Sequence, residues 1–339
     1  MNPADSFLAA QGYGTARRDP LPQDAGHRRY TRLSDGPRPA LLMDCSGAPA
    51  VGVTPEEDLL PFIRLARHIA GIGLSVPVIL AEDTPNGLLL VEDLGPATHA
   101  QLLDGGADPQ PLYEAAAETL AALHAAPPPP GLPGWEAPRM AATAGLTFLD
   151  WWWPASFGVQ PSPAIRDEFA AAMRAMLAPF EGAGSLVHRD YFPANLIDLP
   201  GRSGPRRTGI LDFQDAATGH PAYDLVSLVE DARRDVAPHI REAAIGRYLA
   251  ARPELEEDAF RAAFAAQAAQ RHLRVAALWV RLDRRDNKPA YLKHGPRCWA
   301  LLGRALQHPS TAPLAAFLDR HVPAGLRRNP DQLPRMPAA

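Results

Sequence analysis

The sequence predicts an α+β fold in two lobes, a small, mostly stranded N-terminal lobe and a larger, mostly helical C-terminal one. Three observations carry that prediction. Between residues 27 and 95, short apolar runs are divided by turn signals such as SDGPRP. One long helix-period segment interrupts those runs, and beyond Gly95 alanine-rich helical segments dominate. The chain has 339 residues, enough to bury a core in each of two lobes.

The elements follow in order. DSFLAAQGYG reads as a short helix with Asp5 as N-cap and Gly12 and Gly14 ending it. HRRYTRL and ALLMD read as strands around the SDGPRP turn. In VTPEEDLLPFIRLARHIAGIG, Thr54 caps a helix, Pro55 takes its first position and acids fill its first turn. Leu59, Phe62, Ile63, Ala66 and Ile69 then recur at helical spacing. VPVILAED and GLLLVEDLG supply two more strands. PLYEAAAETLAALHAA is a helix stopped by four prolines. Further helices are expected at RDEFAAAMRAMLAPF, YDLVSLVEDARRD, HIREAAIGRYLA, EEDAFRAAFAAQAAQRHLRVAALWVRL and RCWALLGRAL. Residues 1–94 form the first lobe, 95–323 the second, and the aperiodic tail 324–339 is expected to fray.

Composition excludes several classes. The formal net charge is −4, which argues against a nucleic-acid partner. No run approaches the roughly 18 apolar residues of a membrane span. Two cysteines, Cys45 and Cys298, are too few for a disulfide framework or a zinc cluster. A cytoplasmic monomer acting on a small molecule is the expectation. Lysine occurs only at 288 and 293, so arginine carries almost all positive charge.

Two phrases carry chemistry: LVHRDYFPANLIDL from residue 186 and GILDFQDAATGHPAYDLVSL from residue 209. Phosphoryl transfer needs a nucleophile aimed and phosphate charge neutralised, with little covalent work by the protein. Asp190 can accept a proton from an attacking hydroxyl. Asn195 offers an amide oxygen and Asp212 a hard carboxylate, a donor set suited to magnesium. NLIDL and TGILDF flank PGRSGPRR, so a hairpin would bring Asn195 and Asp212 to one end. Asp215 is either a further ligand or a turn former.

HRDYFPAN fits the catalytic-loop pattern of kinases, and LDFQD stands where they carry Asp-Phe-Gly. With GHPAYDLVSL, the chain resembles the aminoglycoside phosphotransferase branch of the bilobal protein-kinase-like fold. QDAGHRRYTRL, LLMDCSG, LLLVEDLG and QRHLRVAALWVRLDRRDNKPAYLKHGPR are similar to the anomeric amino-sugar kinases. The resemblance spans residues 5 to 308. It implies transfer of the γ-phosphate of ATP, with magnesium, to the anomeric hydroxyl of N-acetylmuramate or N-acetylglucosamine in peptidoglycan recycling. It assigns Asp190 as base, and Asn195 and Asp212 as metal ligands. His188 would pack beneath the loop, and Asp224 would cap its helix or brace the loop backbone. Adenine would bond backbone around Glu92, Asp93 and Leu94. Competing readings are a kinase of another small hydroxyl compound and a nucleotide-binding scaffold without catalysis. A protein kinase is disfavoured because no Ala-Pro-Glu phrase follows Asp212.

The chain departs from the kinase pattern in having no N-terminal lysine. Arg28 and Arg29 are the candidates to meet phosphate, since a guanidinium fork donates two parallel bonds. Strand alternation lets only one reach inward, and Arg29 is favoured, with Glu56 or Glu57 available to orient it. For the acceptor, Arg271, Arg274, Arg281 and Arg285 form a helical stripe that either faces solvent or reaches a substrate carboxylate through Arg271. DWWWP offers Trp152 either to stack on a sugar or to fill a gap between helices.

Overall fold

A computed structural model describes residues 2–22, 28–47 and 55–330. Its contacts resolve two compact units. One joins the chain up to Leu123 with Pro193–Asp215; the other joins His124–Phe192 with the chain from Ala216 onward. This division differs from a single cut at residue 94, because residues 95–123 and the 193–215 segment group with the N-terminal sheet. Isolated bridges Ser75–Gly209 and Thr98–Ile197 show how that segment is tied in.

In the first unit, five antiparallel strands run in the order Arg17–Pro20, Arg29–Ser34, Ala40–Asp44, Leu88–Glu92 and Ile79–Asp83. The edge strand Arg17–Pro20 is absent from the sequence prediction. RRDP holds no apolar residue; it becomes a strand by pairing Arg18 with Leu33, and its proline is tolerated at the sheet edge. Phe7, Leu8, Tyr13, Leu33, Ala40, Leu42, Leu88 and Leu90 form one core cluster. The helix Pro3–Ala10 starts earlier than expected. Asn2 caps it by accepting the Ala4 N–H at 3.2 Å, while Asp5 pairs with Arg18 at 2.6 Å. The helix Pro55–Gly71 buries Leu59, Phe62, Ile63, Ala66 and Ile69, the apolar stripe of its sequence. Its proposed cap, Thr54, lies outside the described residues. Leu196–Asp198 and Thr208–Ile210 pair as an antiparallel hairpin with Leu196 opposite Ile210.

The second unit holds a small sheet in which Ala217–Gly219 lies between Gly134–Trp135, parallel, and Ser185–Val187, antiparallel. Gly219 is needed there, because a Cβ would come 2.7 Å from the Trp135 carbonyl oxygen. The organising helix is Glu257–Arg284, 28 residues long and buried at most positions from Phe260 to Val280. Its many alanines let neighbours come close, and it packs against Ala137–Thr147, Ala222–Val229 and Gly295–Ala305. No helix among the described residues is long and apolar enough to cross a membrane.

The tail from 324 to 330 is not frayed. Asn329 is buried: it accepts the Trp299 Nε1–H at 2.9 Å and donates to the Ala276 carbonyl at 3.0 Å. Satisfying those polar groups repays the ordering of an aperiodic segment. Residues 331–339 lie outside the described residues.

Candidate active site

The loop that carries Asp190 leaves the strand Ser185–Val187 within the second unit, and one carboxylate shapes it. Asp224, fully buried on the helix Ala222–Val229, accepts the His188 N–H at 2.6 Å and the Arg189 N–H at 2.8 Å. Arg189 has φ +75°, a left-handed conformation that costs a non-glycine residue about 1–3 kcal/mol and persists only when its surroundings fix it. Both neighbouring amides being held supplies that constraint. His188, fully buried, accepts the Asp190 N–H on Nδ1 at 3.3 Å, so its ring sets the loop from below. Asp190 itself is half-buried.

Behind Asp224 stands His124, whose Nε2 lies 3.2 Å from the carboxylate and whose Nδ1 lies 2.9 Å from the Tyr248 hydroxyl. Burial lowers the His124 pKa despite the Asp224 charge. The neutral ring therefore donates from Nε2 to Asp224 and accepts from Tyr248. Sequence reasoning missed this pair, since nothing in HAAPPPP marks the histidine as a partner of a residue 100 positions away.

Arg271 does not face solvent, as one reading of its stripe required. It is 3% exposed, its guanidinium sits 5.4 Å from the Tyr223 ring centre, and it donates to the Arg189 carbonyl at 3.4 Å. Burial opposes its charge, but Tyr223, Asp190 and Asp231 together raise its pKa. The arginine stripe thus begins at the loop that carries Asp190. Trp152 is corrected outright: it is fully buried, stacks on Phe148 at 4.9 Å and donates to the Arg328 carbonyl at 2.9 Å. A π-helical stretch, Phe148–Trp152, turns it into the core, so it fills a gap between helices rather than offering a face to a sugar.

In the first unit the hairpin brings Asn195 and Asp212 together. Their backbones are joined by Leu211 N–H donating to the Asn195 carbonyl at 2.9 Å. Asn195 Nδ2 lies 3.3 Å from Asp212 Oδ2, and Gln214 Nε2 donates to Asp212 Oδ1 at 2.7 Å. Asp212 is exposed and has φ +59°, the second left-handed residue within the two motif phrases. Phe213, fully buried, stacks on Phe62 of the helix Pro55–Gly71 at 4.9 Å and anchors the strained turn.

The inward-reaching cation of this unit is Arg28, not the favoured Arg29. Arg28 bonds Asp58 through Nε at 3.1 Å and through Nη2 at 3.3 Å, both side chains only 17% exposed. Burial opposes its charge, yet the Asp58 hydrogen bond and charge raise its pKa. Arg29 is 53% exposed and pairs across the strand register with Asp44 at 3.0 Å. Alternation explains the reversal: the Arg29 face meets Asp44, and the Arg28 face meets the helix. The side chains of Glu56 and Glu57 lie outside the described residues; Asp58, the next acid in the same run, is the partner missed. Burial pushes the hydroxyl of nearby Tyr30 up to about 12, and the negative charge of Asp212 adds to the shift.

Around the expected hinge, Glu92 receives Arg202 at 3.1 Å and the Val78 N–H at 3.3 Å. Asp93 receives Arg32 at 2.5 Å and the Gly95 N–H at 2.9 Å. Leu94 packs beside Gly209, where a Cβ would approach its Cδ1 to 3.0 Å. These side chains bind protein, which fixes the backbone of the segment.

The protein-kinase-like fold and the sequence family that the chain shares define a phosphotransferase. The chain belongs to the phosphotransferase enzyme family, whose sequence pattern matches residues 18–260. It is 38% identical to the N-acetylmuramate/N-acetylglucosamine kinase of Caulobacter vibrioides over 95% of this chain and 97% of that one. The enzyme of the same name from Pseudomonas aeruginosa is 34% identical, over 92% of this chain and 91% of that one. The fold is shared with the ADP-bound aminoglycoside phosphotransferase APH(2'')-Ib, at TM-score 0.57 and 12% identity over 91% of this chain and 98% of that one. A choline kinase from Streptococcus pneumoniae also matches at TM-score 0.57, with 10% identity over 91% of this chain and 96% of that one.

Proposed function

We propose that this protein is an ATP-dependent kinase that phosphorylates the anomeric hydroxyl of N-acetylmuramate or N-acetylglucosamine, in the cytoplasm, as a step of cell-wall sugar recycling. The observation that carries phosphoryl transfer is the 3.3 Å approach of Asn195 to Asp212 on a strained, anchored turn. The acceptor comes from the names of the relatives, at 38% identity across almost the whole chain.

In this reading Asp190 aligns the acceptor hydroxyl and takes its proton. An anomeric hydroxyl is more acidic than an ordinary alcohol, so a carboxylate of modest basicity suffices. Asn195 and Asp212 present amide and carboxylate oxygens, the hard donors that magnesium prefers, and would hold it against the nucleotide phosphates. Magnesium, when bound, neutralises charge on those phosphates. Arg28, oriented by Asp58, takes the place of the missing lysine, and the backbone of 92–94 receives adenine. Gln214 in place of glycine, bonded to Asp212, leaves no glycine-dependent flip of this turn. His188, Asp224 and Arg271 are positioning residues that act through the loop backbone.

Incubating the protein with ATP, magnesium and either sugar should give a product whose phosphorus NMR signal is an anomeric phosphate. A 6-phosphate would overturn the regiochemistry, and turnover only with aminoglycosides or amino alcohols would overturn the acceptor. The cation assignment is tested separately. Arg28→Ala should raise the KM for ATP on the order of tenfold or more, the worth of a charge-assisted contact. Arg29→Ala removes an exposed pair worth about 0–1 kcal/mol and should change that KM little. The reverse ranking in steady-state kinetics would return the role to Arg29.

A further inference from the structure

We propose that Arg274 and Arg281 form an anion-reading surface beside Asp190 that recognises the carboxylate of an acidic amino-sugar acceptor, making them specificity residues for N-acetylmuramate over N-acetylglucosamine. The inference rests on the reading of Asp190 as the acceptor-facing base. It starts from an imbalance of charge. Elsewhere in the second unit, Arg241, Arg252, Arg261, Arg297 and Arg320 each pair with a carboxylate. Arg274 and Arg281 pair with none among the described residues, and each has a buried Nε without a hydrogen-bond partner. Arg274 has one protein contact of hydrogen-bond length, Nη2 to the Tyr223 hydroxyl at 2.9 Å.

The nearby acids are already engaged. Asp283 pairs with Arg284 at 3.3 Å, and Asp286 receives Arg285 at 2.7 Å. Burial and the positive charges of Arg285 and Arg274 lower the pKa of Arg281, outweighing the opposing charge of Asp286, which is itself held by Arg285. A partly buried guanidinium without a carboxylate in ion-pair contact is complemented by an anion from outside the protein.

Position selects the anion. Arg271 touches the catalytic-loop backbone, and Asp190 lies within its field. Arg274 follows three residues on, about 4.5 Å along the helix axis, and Arg281 lies two turns beyond it on the same face. The cationic face therefore starts at the base and runs away from it along the helix. An anionic group a few bonds from the attacked hydroxyl meets that face. N-acetylmuramate carries such a group in its lactyl ether, and N-acetylglucosamine lacks it.

Arg274→Gln and Arg281→Gln are compared with wild type on both sugars, and wild type is assayed on the methyl ester of N-acetylmuramate. Each substitution should lower kcat/KM for N-acetylmuramate on the order of 10- to 100-fold, the worth of one bond to a charged group. The loss on N-acetylglucosamine should be much smaller. Arg274→Lys should recover part of the loss, and the ester should behave on wild type as the acid does on the variants. Arg281, half-buried, with no hydrogen bond or ion pair to hold among the described residues, can be replaced without unfolding the chain. Equal losses on both sugars, a raised KM for ATP instead, or an ester as good as the acid would each overturn the inference. Calorimetric binding of acid against ester decides the point without turnover. Absence of turnover by wild type on both sugars is a separate result and would overturn the proposed function instead.

Discussion

Asp190→Asn is expected to lower kcat by about 10²–10⁴-fold, the usual contribution of a positioned general base. The amide keeps the size of the carboxylate and loses its basicity. The loop should hold its shape, because its supports are the Asp190 N–H on His188 Nδ1 and the two amides gripped by Asp224, none of which the substitution removes. Nucleotide affinity should therefore stay close to wild type while turnover collapses. A coupled assay of ADP release, with a nucleotide titration on the same sample, separates the two. Near-normal turnover would remove Asp190 from the chemistry, and parallel loss of nucleotide binding would show that the side chain holds structure.

Asp224→Ala should be the most damaging structural change in the chain, costing about 3–5 kcal/mol. The carboxylate, itself fully buried, accepts the buried His188 N–H and the partly buried Arg189 N–H and faces the buried His124. Removing it strands the buried His188 N–H and the partly buried Arg189 N–H, at about 1–3 kcal/mol for a buried donor, and frees Arg189 from the restraint that holds its left-handed backbone. Asp224→Asn, with one acceptor oxygen, should fall between alanine and wild type. Denaturant unfolding monitored by tryptophan fluorescence gives the three stabilities. If alanine is as stable as wild type, the loop is held by something other than this residue.

What the sequence revealed, and what it concealed, divides along a physical line. Asp190, Asn195 and Asp212 can be proposed from sequence because their chemistry lies in residue type and spacing, and HRDYFPAN and LDFQD keep both. The helix Pro55–Gly71 was readable because five apolar residues repeat at its period and all five are buried. Facing was harder. Arg28 and Arg29 sit side by side, and which one turns inward depends on Asp58, an acid on another element. Arg271 reads as half of a solvent stripe until Tyr223 and the Arg189 carbonyl close over it. Trp152 points into the core because the backbone passes through a π-helical stretch, a local irregularity that periodicity cannot register. The edge strand Arg17–Pro20 owes its existence to its neighbour. Asn329 reads as part of a frayed tail because its two hydrogen bonds are to residues 30 and 53 positions away.

That last residue bears on how the protein is made. The helical unit secures Trp299 and the Ala276 carbonyl with an amide that follows both of them in the chain. A nascent polypeptide can assemble the preceding helices during synthesis, but this fastening is supplied only once residue 329 has emerged. Until then, those helices carry an open seam that the folded unit closes.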